Sequence, residues 1–231
     1  MIDYPNSPFL DSAKENYERL LYITLTAEHT EKAFATFIND YPNSPYLGQA
    51  EDSLYAFTAT ENKSTSFKKF IASYPDNKHV TDAWNQLYNL STLRFDSASI
   101  QKFIYLFPDH PLQTRIGKDL ELLHINASVI KNDDAYGLMI DSTEKMFPEY
   151  SYIDSFSNGL AEFERIDSTS QKTVAGYLNK RGEEVMNPQF SFASLFQNIT
   201  AYVATGWCDE DACGYIFINR FGKKINSNIY D

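Results

Sequence analysis

Apolar residues in the first half of the chain fall at helical spacing and return at a fixed interval. Phe34, Phe37, Ile38 and Tyr41 stand at i, i+3, i+4 and i+7, the positions that line one face of an α-helix. The pattern recurs at Phe67, Phe70, Ile71 and Tyr74, and again at Ile100, Phe103, Ile104 and Phe107, the two steps being equal and free of gaps. Every run closes on a proline, Pro42, Pro75 or Pro108. Proline pushes the residue before it out of the helical region and cannot donate the next backbone hydrogen bond. A second run follows in each unit, with Ala50 and Leu54, Ala83 and Leu87, Ile116 and Leu120 at the same interval of 33. Pro42-Asn43-Ser44-Pro45 supplies the connection, with Ser44 placed to cap a helix that begins at Pro45. The predicted unit is an antiparallel helix pair, with Phe37, Phe70 and Phe103 in its core.

The second-helix pattern also opens the chain. Tyr4-Pro5-Asn6-Ser7-Pro8 precedes Ala13 and Tyr17, which take the places of Ala50 and Leu54 at a step of 37. The longer step predicts an insertion in the connection from Thr24 to His29. The first helix of that opening pair is missing, and terminal repeats need a polar cap. The expectation is a piece of a longer array, with at least one more helix upstream.

Beyond Asn126 the pattern turns to short apolar runs punctuated by glycine, which predicts strands and hairpins. Asn179-Lys180-Arg181-Gly182 and Asn219-Arg220-Phe221-Gly222 are 40 apart and lie between apolar runs. Each suits a type I turn closed by a left-handed glycine. Pro148, Phe156, Asn158 and Ala161 are matched at the same interval by Pro188, Phe196, Asn198 and Ala201. Gly137, Gly176 and Gly214 open three units, the last of which stops mid-repeat at Asp231. The predicted fold is α+β. An α-solenoid of 33-residue helix pairs occupies positions 1–128. An antiparallel β-hairpin array, with a repeat of about 40 residues in the range of known repeat architectures, occupies positions 129–231.

The first array resembles the tetratricopeptide class of helix-pair repeats over residues 4–125, in the variety with Tyr-Pro-x-Ser-Pro turns found in cell-envelope proteins of Bacteroidetes-like bacteria. It departs from the usual Trp, Leu-Gly and Tyr signature of the first helix. The second array resembles the WG β-repeat family at Tyr136-Gly137-Leu138-Met139-Ile140-Asp141, Phe156-Ser157-Asn158-Gly159-Leu160-Ala161, Gly176-Tyr177-Leu178-Asn179 and Gly214-Tyr215-Ile216. The naming Trp is replaced by Tyr136, Ala175 and Cys213. The first resemblance implies a surface that holds partner proteins. The second implies a non-catalytic β array attached to other modules.

Composition narrows the function further. A formal net charge of -11 repels nucleic acid and anionic lipid at long range. No run approaches the roughly 20 apolar residues of a membrane span. Met1-Ile2-Asp3-Tyr4-Pro5 has no signal-peptide character, which fits a cytoplasmic protein or one read after its export signal. No phosphate loop, dinucleotide fingerprint, zinc-protease motif or nucleophile elbow occurs, so no catalytic residue, cofactor or metal site is expected. Cys208 and Cys213 flank Asp209-Glu210-Asp211; a local disulfide and a pair of free thiols are both open readings. Trp207 beside them is read as an exposed contact residue or as packing against the hairpin. The adjacent acids Asp133-Asp134 and Glu183-Glu184 read as solvated charge.

The function expected is a non-enzymatic protein-protein interaction or scaffold module, exported to the periplasm or outer membrane, with an unnamed protein partner. The alternatives are glycan or cell-wall binding through the β array, and a regulatory domain of a larger enzyme.

Overall fold

The computed structural model describes residues 9–133, 135–205 and 214–225. Among these the chain is α+β, with seven helices followed by antiparallel strands. It divides into two compact units, Met1–Leu90 and Ser91–Asp231. The last helices therefore belong to the same unit as the strands.

In the first unit α1 (Leu10–Leu25), α2 (Glu31–Asp40), α3 (Leu47–Glu61) and α4 (Ser64–Ser73) are followed by α5 (Val80–Ser91), which crosses into the second unit. The periodic aromatics form its core: Phe34, Phe37, Phe67 and Phe70 are buried, as are Ala50, Leu54, Ala83 and Leu87. Thr30 caps α2 by accepting a hydrogen bond from the Ala33 amide, which satisfies one of the free amides of the first turn. Tyr41 and Tyr74 close α2 and α4, with their amides donating to Phe37 and Phe70. Each ring lies 5.4 Å from the phenylalanine it follows, and the prolines then prevent continuation. Ser44 does not cap a helix at Pro45. Its hydroxyl accepts from the Tyr46 amide at 3.2 Å, a turn that delays α3 until Leu47. Residues 26–30 join α1 to α2, whereas 62–63 suffice between α3 and α4.

The second unit opens with α6 (Ser97–Leu106) and α7 (Gln113–His124). Asp96 caps α6 through the Ser99 amide at 2.7 Å. Three antiparallel sheets follow. Sheet 1 is β1 (Ala127–Asn132), β2 (Ala135–Ile140) and β3 (Thr143–Phe147). Sheet 2 is β4 (Tyr150–Ile153), β5 (Leu160–Ile166), β6 (Thr173–Asn179) and β7 (Glu184–Phe190). Sheet 3 is β8 (Phe192–Ala193), β9 (Ala201–Ala204), β10 (Tyr215–Ile218) and β11 (Lys224–Ile225).

The two Asn-x-x-Gly turns share one construction. Asn179 Oδ1 accepts from the amides of Arg181 and Glu183 at 2.9 and 3.1 Å. Asn219 does the same for Phe221 and Lys223 at 3.0 and 3.1 Å. Gly182 and Gly222 both take φ +71, a conformation that costs glycine little and other residues more.

Because side chains alternate along a strand, each sheet offers two faces, and the core clusters show which are used. Leu138, Phe147, Tyr150, Ile153, Ala161, Phe163 and Leu178 form one apolar layer joining sheets 1 and 2. The opposite phase of sheet 2, Leu160, Ala175 and Tyr177, packs with Phe196, Ala201, Val203 and Ile218 of sheet 3 and its connections. Sheet 2 is thus buried on both sides.

The segment before α6 is seated on a turn of sheet 2. Asn158 Oδ1 accepts from the Phe95 amide at 2.7 Å, and its amide nitrogen donates to the Leu93 carbonyl at 3.0 Å. Phe95 fills the space over Gly159, where a Cβ would come within 2.3 Å of its ring. The Arg220 guanidinium covers the Phe95 ring at 3.6 Å, a cation–π contact. Farther along, Lys180 donates to the Ile125 carbonyl and Arg181 pairs with Glu121 at 2.8 Å. Turns on two sheets therefore hold the helices of this unit.

Candidate functional site

The outer face of sheet 3 carries aromatic residues where an antiparallel sheet ordinarily turns polar side chains to water. Register assigns the faces. Tyr202 is opposite Phe217, while Ala204 is opposite Tyr215 on one side and Phe192 on the other. These five residues share one face. Ala193, Ala201, Val203, Ile216 and Ile218 take the other and go into the core shared with sheet 2.

Phe192, Tyr202, Tyr215 and Phe217 are 38, 39, 51 and 48 % exposed, whereas Ala204 between them is 1 % exposed. Three of the rings meet pairwise over that alanine. Phe192 stacks on Tyr202 at 5.6 Å, and Tyr215 stands edge-on to both at 5.8 Å. Phe217 extends the patch beside Tyr202 at 6.5 Å. Offset and edge-to-face contacts of this kind hold the rings in place and add modestly to stability. Among the described strand residues, no carboxylate or amine lies on the face. Its chemistry is apolar surface with two phenol hydroxyls.

Sheet 2 shows what these positions do when covered. One repeat earlier stand Tyr152, Glu162, Glu164, Ala175 and Tyr177, again on one face by register. Ala175 and Tyr177 are fully buried, and the Tyr177 hydroxyl donates to the Ser194 carbonyl at 2.7 Å. Glu162 takes the place of Tyr202 and is 4 % exposed, with Oε1 lacking any hydrogen-bond partner. Burial, with Glu164 and Asp154 adding repulsion, pushes its carboxyl up to about 8. It is a proton-holding group enclosed in packing.

Other charged groups are engaged in holding the fold. Glu184 accepts from the Tyr150 hydroxyl at 2.8 Å and pairs with Arg165 at 2.9 Å, and Glu183 accepts from the Asn179 side chain at 2.7 Å. Glu183 stays exposed beside its own turn, as the sequence suggested, whereas Glu184 is drawn onto the neighbouring strands. In the first unit, His79 sits between two carboxylates, Nε2 on Asp52 at 2.7 Å and Nδ1 on Asp82 at 2.9 Å, and stacks on Tyr55 at 4.7 Å. Burial opposes its charge, but the hydrogen bonds to Asp82 and Asp52 outweigh that and raise its pKa. A shallow groove of about 280 Å3 runs past Glu31, Phe57, Glu61, Lys69 and Tyr74. Its cation is already paired, Lys69 donating to both oxygens of Glu31 at 3.0 and 3.3 Å.

Cys208, Cys213 and Trp207, the residues singled out in the sequence, lie outside the described residues. Among the described residues no three His, Cys, Asp or Glu side chains are grouped to hold a metal ion, and no helix is long and apolar enough to cross a membrane. Of the two tryptophans, Trp207 stands out beside the cysteines, whereas the four rings carry no motif of their own. The available signal was that Ala201-Tyr202-Val203 and Tyr215-Ile216-Phe217-Ile218 are apolar in both phases, which marks a strand with no face meant for water. Against protein-family models, curated proteins and solved structures, the chain has no significant match.

Proposed function

We propose that the chain is a non-enzymatic interaction or scaffold module that binds a protein partner through the aromatic outer face of sheet 3. In this reading, α1 to α7 form a tetratricopeptide-like solenoid, and the three sheets form a WG-like array serving a bacterial cell envelope. The observation that carries it is the four-ring patch, at which Tyr202, Tyr215 and Phe217 are exposed while their equivalents in sheet 2, Glu162, Ala175 and Tyr177, are buried. Contiguous exposed apolar surface of this sort marks an interaction site on a folded protein, and tyrosine and phenylalanine concentrate in the desolvated centres of interfaces.

The test is a photo-crosslinking amino acid at Phe217, with Lys145 as a control position, in cells expressing the full protein. A discrete protein adduct at position 217 that is absent at 145, and lost with Tyr202→Ser, supports the reading. Equal labelling at both positions, or none at 217, refutes it. A glycan reading has one observation in its favour, the stacked Phe192 and Tyr202 rings beside a second tyrosine. Binding on a glycan array that disappears with Tyr202→Ser and Tyr215→Ser would select it instead.

A further inference from the structure

Among its described residues the first unit carries another exposed apolar face, whose chemistry differs from that of sheet 3. Leu10, Ala13, Tyr17, Leu20 and Thr24 follow at i, i+3, i+7, i+10 and i+14 on α1 and so share one side of the helix. Leu10, Tyr17 and Leu20 are 51, 62 and 54 % exposed, and α1 contains no buried residue. Its contacts come from the adjoining side. Tyr22 meets Phe37 and Tyr46 at 5.2 Å each, and Glu18 accepts from the Ser44 hydroxyl.

Ala13 and Tyr17 stand where Ala50 and Leu54 stand on α3, and where Ala83 and Leu87 stand on α5. Those four residues are 0 or 1 % exposed. On α3 the burial is produced by packing against α2 and α4, whose buried side chains are Phe34, Phe37, Phe67 and Phe70. The fold therefore displays on α3 the kind of helix that the face of α1 lacks.

We propose that the Leu10, Ala13, Tyr17 and Leu20 face of α1 is a docking site for an amphipathic helix carrying Phe-x-x-Phe-Ile, supplied by a polypeptide outside the described residues. Among the described residues, a second copy of this chain has no such helix to offer. Phe34, Phe37, Phe67, Phe70, Ile100 and Phe103 are all 4 % exposed or less, so α2, α4 and α6 already bury their aromatic faces. Continuity with the α1–α2 packing gives the incoming helix an edge to rest on, and Ala13 leaves room for close approach.

The experiment uses the purified chain and a peptide of residues 28–42, held helical by a lactam on its polar side, since an isolated helix of this length is marginal in water. The slight acidic excess of that peptide removes the electrostatic attraction that a basic probe would feel toward an acidic chain. Saturable one-to-one binding is expected. Tyr17→Glu with Leu20→Glu should weaken it at least tenfold, and so should Phe34→Ser with Phe37→Ser in the peptide. Both chain substitutions fall on exposed positions, so an unchanged melting curve separates lost docking from lost folding. Absence of binding to the wild-type chain, or equal binding to the substituted chain, overturns the proposal. So does a concentration-dependent dimer that Leu20→Glu dissolves, because the face would then pair with itself.

Discussion

Sheet 2 and sheet 3 are built from matched positions one repeat apart and use the same Asn-x-x-Gly turn, yet one is covered on both faces and the other on one. In sheet 2 the Tyr177 phase is sealed by sheet 3 and the Phe163 phase by sheet 1. In sheet 3 the Val203 phase is sealed by sheet 2, while the Tyr202 and Phe217 phase meets water. A bare apolar face is costly to leave exposed, and the difference lies in stacking, not in strand pairing or turn chemistry. What separates a core residue from a candidate contact residue here is whether another of the described sheets packs on that side.

The sharpest way to break the comparison is to truncate matched positions. Tyr177→Ala removes a fully buried ring and the donor to Ser194, and should cost about 4 kcal/mol. Phe217→Ala, at the same place in sheet 3, should cost no more than about 1 kcal/mol, chiefly from the lost cross-strand contact with Tyr202. Urea denaturation of both variants, followed by tyrosine fluorescence, measures the gap. A Phe217→Ala cost close to that of Tyr177→Ala would mean that the outer face is covered in solution.

Next in size is the pH response set by Glu162, which sheet 3 replaces with Tyr202. Its folded carboxyl lies at about 8 against a usual 4.5, so above pH 4.5 the unfolded chain has given up a proton that the folded chain keeps. Stability contributed by this site therefore falls as pH rises from 4.5 to 8 and is lowest above 8, by an amount on the order of 3 kcal/mol. Glu162→Gln should flatten that slope. Thermal melts of both forms from pH 5 to 9 that stay parallel would show that the carboxyl is not buried in solution.

Gly159 gives a smaller contrast. Alanine there meets Phe95 and inherits φ +76, for a cost of about 2 kcal/mol. At the matched position of sheet 3 the chain already carries Ile199, so Ile199→Ala should change stability by under about 1 kcal/mol. Combining Gly159→Ala with Phe95→Leu should recover the steric part and leave the backbone part, a coupling that a double-mutant cycle reads directly.

The helices were legible because aromatics at i, i+3, i+4 and i+7 followed by proline specify both the buried stripe and its end. The hairpins were legible because Asn and a left-handed glycine are local chemistry. The stacking order of the sheets was not. Phe95 and Gly159 meet although α6, α7 and all of sheet 1 intervene between them along the chain, and no local pattern announces the pair. Glu162 reads as surface because a carboxylate is rarely buried; only its place one sheet inside the stack puts it in the core. For sheet 3 the alternation was uninformative, since Ala201 and Val203 on one side and Tyr202 on the other are all apolar. The exposed face could not be told from the core face until register and packing separated them.

The smallest effect belongs to the first unit and sharpens the pH experiment by running in the same direction. His79 sits between Asp52 and Asp82, whose hydrogen bonds outweigh its burial and raise its pKa above the usual 6.5. A raised histidine stabilises the fold fully below its unfolded pKa and loses that contribution as pH climbs through the folded one. The clamp is partly exposed to solvent, which limits it to about 1 kcal/mol. His79→Gln should remove a shallow decline that begins at the unfolded value of 6.5 without touching the broader one that Glu162 sets from 4.5 to 8. The two can be separated by hydrogen exchange. The His79 effect should appear in amides of α3 and α5, and the Glu162 effect in amides of β5, β6 and β9. If His79→Gln instead alters the β amides and leaves α3 and α5 unchanged, the clamp does not stabilise the helices it joins, and the pH response assigned to sheet 2 has a second source.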